Sequence, residues 1–222
     1  MVLASSQGTA GQRLRNAGQQ RGPLIWQRTD TVGTEVVFAA GKAGRAASGS
    51  AVVAGPVPHT NRWHADLDAG AVVRALTVTC AGGDWGRTLQ LARDPDLGWT
   101  CRTEETGDLD GALTGGGHCG EPLPGIDDSA RLHPDAIIRL SDSPMFLTWA
   151  LQRLRLAAGD RPVAAPTIRI LTPSLIVLPG VSTYQLVSEH RLRISGDEPA
   201  SGYELDDAGF VTYQPARLRL AP

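Results

Sequence analysis

Apolar and polar positions alternate along much of this chain with a period of two, the period of a strand with one buried face. In residues 62–67, Arg62, His64 and Asp66 fall on one face and Trp63, Ala65 and Leu67 on the other. Arg191, Arg193 and Ser195 alternate with Leu192 and Ile194 in the same way. Runs at 36–38, 50–54, 72–80, 85–92, 98–102, 136–140, 153–156, 167–171, 174–178 and 184–194 predict further strands, separated by Gly, Pro or Asp clusters. The sharpest local signal is the hairpin of residues 203–213, where Asp206, Asp207, Ala208 and Gly209 form the turn. Asp and Gly there supply the left-handed backbone angles that a short β connection needs.

Only residues 146–156 fit a helical spacing, through Phe146, Leu147, Trp149, Ala150, Leu151 and Leu154. Ser143 and Pro144 precede them as cap and first-turn proline. The pattern therefore predicts a mainly all-β protein: one antiparallel barrel-like or strongly curved sheet domain with at most one or two short helices. That domain is expected to span residues 24–220. Residues 1–23 are polar, carry Arg13, Arg15 and Arg21 without an acid, and are expected to be a disordered tail. Residues 104–134 break the strand rhythm with prolines, acids and a triple glycine at 115–117. They are expected to be a loop insertion over one mouth of the barrel.

Composition narrows the function. The 222 residues hold 26 glycines and 15 prolines, together roughly 18% where about 12% is usual, which fits frequent turns. A net charge of -2 argues against a nucleic-acid binder, which shows a basic face or stripe. No stretch approaches the ~20 apolar residues of a membrane-spanning helix. The N-terminal stretch has no apolar secretory core, so the expected location is the cytoplasm. Cys80, Cys101 and Cys119 give no disulfide framework, although a Cys80–Cys101 bridge is open if their strands pair.

Chemical motifs are sparse. His118, Cys119 and His133 match no zinc spacing, and His59 and His64 fall on opposite strand faces, so no metal is expected. The chain lacks Gly-x-Ser-x-Gly and a phosphate loop, and no cofactor is expected. Arg28, Glu35, Arg74 and Arg153 are charges in or near apolar segments, where they either reach solvent or form the polar floor of a pocket. Trp26, Trp63, Trp99, Trp149 and Tyr184 are core or the walls of such a pocket.

These residues resemble a bacterial family known by the name "putative glycolipid-binding". Trp26-Gln27-Arg28, Asp30 and Gly33-Thr34-Glu35 look like its opening motif. The stretch from Arg62 to Asp68, followed by Arg74, looks like its arginine–aromatic strand and the arginine strand after it. Trp99 with Asp108 to Gly111 is similar to a tryptophan followed by an aspartate–glycine turn. Ser143-Pro144 through Gln152-Arg153-Leu154 resembles its proline motif. Tyr184 and the stretch from Asp207 to Pro215 are similar to its closing elements. Departures stand at Ala71, Leu147, Gln152 and Ile137-Ile138-Arg139-Leu140, where the family has a tryptophan, an asparagine, an arginine and alternating aspartates.

The resemblance implies a binding module for an amphipathic, lipid- or glycolipid-like small molecule. Its ligand residues would be Trp26, Arg28, Glu35, Arg62, Trp63, Arg74, Arg153 and Tyr184. Two alternatives stay open. One is a cofactor-free isomerase, cyclase or hydrolase with Glu35 and Arg74 as catalytic residues. The other is a structural or partner-binding protein that uses residues 104–134 as its contact.

Overall fold

The computed structural model describes residues 22–40, 46–115, 123–196 and 199–221. Residues 1–21 of the predicted tail, His118 and Cys119 lie outside the described residues. Seven strands come first: β1 (Leu24–Arg28), β2 (Val32–Ala40), β3 (Ala46–Ala54), β4 (His59–Leu67), β5 (Val73–Ala81), β6 (Gly86–Asp94) and β7 (Gly98–Thr106). Helix α1 (Leu109–Gly115), a 3-10 turn (Ser129–Arg131), β8 (Ile137–Leu140) and helix α2 (Met145–Leu154) follow. The chain ends in β9 (Val163–Leu171), β10 (Ile176–Ser188), β11 (Arg191–Gly196), β12 (Ser201–Leu205), β13 (Val211–Gln214) and β14 (Leu218–Leu220).

All fourteen strands belong to one curved sheet, in the order β7-β6-β5-β4-β3-β2-β1-β14-β13-β12-β11-β10-β9-β8. The expected all-β architecture is present as a strongly curved sheet; the sheet does not close, so it is no barrel. Every pairing is antiparallel except β8 with β9, which the crossover through α2 makes parallel. The terminal strands meet in the middle of the sheet, where Trp26 of β1 faces Leu220 of β14.

The alternation in residues 62–67 holds: Asn61, Trp63, Ala65 and Leu67 are buried while Arg62, His64 and Asp66 are exposed. The turn after β12 also forms as expected. The Asp206 carboxylate accepts from the backbone N–H of Ala208 and of Phe210, both at 2.9 Å, and Gly209 takes φ +82°. Other boundaries differ. Residues 153 and 154 end helix α2, and Arg155 caps it in the left-handed region. The expected strand 184–194 is two strands, β10 and β11, joined by a turn at residues 189–190.

Residues 104–134 were expected to lack structure, yet they contain the end of β7, α1 and the 3-10 turn. Leu109 and Leu113 are buried four residues apart, which gives α1 its apolar side. The stretch after 123 ties the two ends of the sheet together. Gly125 bonds to Leu175 and Val177, Trp99 of β7 donates to the His133 carbonyl at 3.0 Å, and Arg93 of β6 pairs with Asp135 at 2.8 Å. Arg87 of β6 donates to the Ser174 carbonyl at 2.9 Å.

Helix α2 is buried from Met145 through Leu151, as a helix enclosed on several sides must be. Phe146 and Trp149 form an edge-to-face triad with Trp63 of β4, with ring centroids 4.9 to 6.0 Å apart. Each such pair contributes about 0.5–1.5 kcal/mol beyond its buried area. Cys80 and Cys101 are free thiols, so the bridge left open by the sequence is not made.

Candidate functional site

Glu35 lies in a row of inward-facing positions set by strand register. Trp26 of β1 pairs with Glu35, Glu35 with Ala51 of β3, and Ala51 with Asn61 of β4. The small Ala51 leaves space between two polar side chains that are each only 4% exposed. Two glycines let longer side chains cross their neighbours. Trp63 lies over Gly49, whose Cβ, if present, would sit 2.4 Å from the indole. Arg28 lies over Gly33 on β2, where an added Cβ would sit 2.8 Å from Arg28 Cδ.

Trp63 thereby reaches β2 and donates its indole N–H to Glu35 Oε1 at 2.8 Å. The Ser143 hydroxyl donates to the same oxygen at 2.6 Å. Ser143 was expected to cap α2, but Pro144 holds the cap position with no side-chain bond, and the serine hydroxyl serves Glu35. Glu35 Oε2 and Asn61 Oδ1 are buried without a hydrogen-bond partner among the described residues. Both side chains line a cavity of about 20 Å³ that Trp26, Arg28, Asp142 and Leu218 help to enclose. Burial pushes the Glu35 carboxyl up to about 7; the bonds from Ser143 and Trp63 oppose this shift, and the charge of Asp142 adds to it.

An ionic cluster flanks this carboxyl. Arg28 meets Asp30 at 2.7 Å and Asp142 at 2.8 Å, and Arg217 approaches Asp142 at 3.5 Å and Asp30 at 3.8 Å. Burial works against both Arg28 and Asp30 being charged. Their mutual bond still holds Asp30 below the ordinary carboxylate range and Arg28 above the ordinary arginine value. His59, on the same face of β4, is held below the ordinary histidine value by burial, and its Nδ1 lies 2.8 Å from the Val57 carbonyl.

Beyond Asp142 a groove of about 70 Å³ runs along the start of α2. Its polar lining includes Arg139, Arg169, Arg217, Asp142 and Gln214, and its apolar lining includes Phe146, Leu147, Leu171 and Tyr203. Arg139 and Arg169 are direct partners in the parallel β8–β9 ladder, which sets them side by side on one face. Asp142 and Leu218 line both the groove and the small cavity, so they form the wall between them.

The structure brings four of the eight residues singled out in the sequence to one place: Trp26, Arg28, Glu35 and Trp63. Trp26 also donates its indole N–H to the Val211 carbonyl at 2.7 Å. The other four lie elsewhere. Arg62 points outward, and Arg74 is 46% exposed, 3.9 Å from Asp68. Arg153 donates to the carbonyls of Asp135 and Ala136, at 2.7 and 3.1 Å, so it pins the approach to β8. Tyr184 is buried with its hydroxyl 3.5 Å from that of Thr167. Sequence reasoning missed Asn61, Ser143, Asp142 and Arg217. Only Asn61 carried a readable signal, because extending the 62–67 alternation by one residue places it on the face of Trp63.

Comparison with known proteins agrees with this architecture. No curated protein matches the chain. A DUF1089 family protein from Pseudomonas aeruginosa has a similar structure at TM-score 0.59 and 18% identity, over 82% of this chain and 89% of that one; at this identity the likeness concerns the fold. The di-domain ARO/CYC StfQ from the steffimycin biosynthetic pathway aligns over 96% of this chain and 79% of its own, at 15% identity and TM-score 0.21, which carries no argument. A family model described as "Putative glycolipid-binding" matches residues 23–219, nearly every strand described above, and the chain belongs to that family.

Proposed function

We propose that the protein binds an amphipathic small molecule, lipid- or glycolipid-like, in the groove beside α2. The observation that carries this reading is the lining itself: three arginines, an aspartate and a glutamine line one depression together with Phe146, Leu147, Leu171 and Tyr203. Ligand sites combine apolar walls with a few placed polar groups in this manner. At about 70 Å³ the groove takes a polar headgroup and its first carbons, and a long acyl chain would continue outside it. Family membership supports the same class of ligand.

Native mass spectrometry of the protein after incubation with a bacterial lipid extract tests the proposal. A reproducible adduct that Phe146→Ala or Arg169→Ala weakens is the expected result. No uptake from the extract would refute it. A second reading, proton-transfer catalysis, draws on Glu35, a buried carboxyl near neutrality. The 20 Å³ beside that carboxyl is too small for a substrate's reacting centre, so binding is the better-supported function.

A further inference from the structure

Glu35 Oε2 and Asn61 Oδ1 are a pair of buried acceptors with no donor among the described residues, and both side chains line the same space. An unmet acceptor in a buried site costs free energy that a donor from outside would recover. The space, about 20 Å³, exceeds the roughly 10–15 Å³ that one water-sized group requires. It therefore admits a single hydroxyl and not a ring.

The chemistry narrows the occupant further. Arg28 also lines the space, which disfavours an ammonium group there. A phosphate or an ether oxygen brings no proton for Asn61 Oδ1. A hydroxyl can donate to a carboxylate or an amide oxygen, and it can accept from Glu35 when that group holds its proton. It is thus matched to both forms of a carboxyl that titrates near neutrality.

We infer that the Glu35–Asn61 cavity is a hydroxyl-recognition subsite, and that the molecule bound in the adjoining groove carries a polyol headgroup that inserts one hydroxyl past Asp142 and Leu218. This inference rests on the groove reading above and adds to it the buried acceptors that would receive a headgroup hydroxyl. The two linings share Asp142 and Leu218, so the cavity adjoins the groove behind those two side chains.

The test is isothermal titration of the full-length protein, below the micelle threshold, with three probes: octyl β-D-glucopyranoside, its tetra-O-methyl ether, and free glucose. The expected result is tighter binding of the glucoside than of its methyl ether by roughly 10- to 100-fold, the size of one or two hydrogen bonds to a charged or buried acceptor. Glu35→Gln puts an amide N–H₂ where the second oxygen stands, and Asn61→Leu removes the other acceptor. Each should reduce that preference at least about tenfold. Equal binding of glucoside and methyl ether by the wild-type protein would overturn the inference and leave the groove reading standing. A preference that survives both substitutions would do the same. Binding of neither octyl compound would overturn the groove reading together with the inference. Glucose binding as tightly as octyl glucoside would support the hydroxyl subsite and remove the amphipathic part of the proposed function.

Discussion

Glu35 should make the stability of this protein fall as pH rises through neutrality. Its carboxyl is raised from 4.5 to about 7 in the folded chain, chiefly by burial. A group whose folded value lies above its unfolded one favours the native state most fully below the unfolded value, here 4.5. That advantage is lost as pH climbs through the folded value near 7. The difference of roughly 2.5 pH units, at about 1.36 kcal/mol each, corresponds to about 3 kcal/mol between pH 4.5 and 8. His59 works in the opposite direction, because its lowered value makes the unfolded chain bind more protons as pH falls through the histidine range. Comparison with Glu35→Gln removes that contribution, since His59 is present in both proteins. Glutamine keeps an oxygen for Trp63 and Ser143 and does not ionise. Urea unfolding of both proteins at pH 5, 6, 7 and 8 should show the wild type losing stability relative to the variant with rising pH. Most of the change should fall between pH 5 and 7, with the difference levelling off above the folded value. Parallel stability curves, with a difference constant to within about 0.5 kcal/mol, would refute the assignment of a neutral buried acid to Glu35.

Other expectations follow from single contacts. Gly49→Ala places a methyl group 2.4 Å from the Trp63 indole, so it should cost about 2–4 kcal/mol through displaced packing and the lost bond to Glu35. A lowered thermal midpoint with an altered near-ultraviolet spectrum would check this. Asp206→Ala removes two bonds to backbone N–H groups in the β12–β13 turn and should cost about 1–2 kcal/mol in denaturant unfolding. Burial pushes the Cys80 thiol up to about 12, so alkylation followed by peptide mapping should find Cys80 unmodified at pH 8 until the protein is unfolded.

What the sequence made legible was local. The alternation in β4, the aspartate turn after β12 and the helical spacing of α2 all depend on neighbours within a few residues, and all are present. The site is a matter of distant meetings. Ser143 reaches Glu35 across 108 positions, and Asp142 reaches Arg28 from the same loop. No periodicity encodes such pairings. Arg62 and Arg74 show the converse: Arg62 stands in the alternating β4 and Arg74 between Val73 and Ala75, and each uses the period of two to face away from the core. Arg153 was singled out for its charge among leucines, yet it satisfies backbone carbonyls ahead of β8, a need that becomes visible only when that strand is placed. The sheet order was equally hidden, because β8 is reached by a parallel crossover that no turn motif announces.

The meeting of β1 with β14 in the middle of the sheet has a kinetic consequence. Apart from the parallel β8–β9 crossover, each half of the sheet can form by successive hairpins, in which closing a loop of about ten residues costs roughly 2 kcal/mol of chain entropy. Joining Trp26 to Leu220 brings together residues almost a full chain length apart, and the same relation gives roughly 5 kcal/mol. That junction should therefore form late, after the two half-sheets exist. Arg28 comes from one half, Asp142, Arg217 and Leu218 from the other, and Glu35 meets Ser143 across the same divide. The small cavity beside Glu35 is thus the last part of the molecule to assemble, and a group lodged there would hold the two halves together, slowing their separation on unfolding.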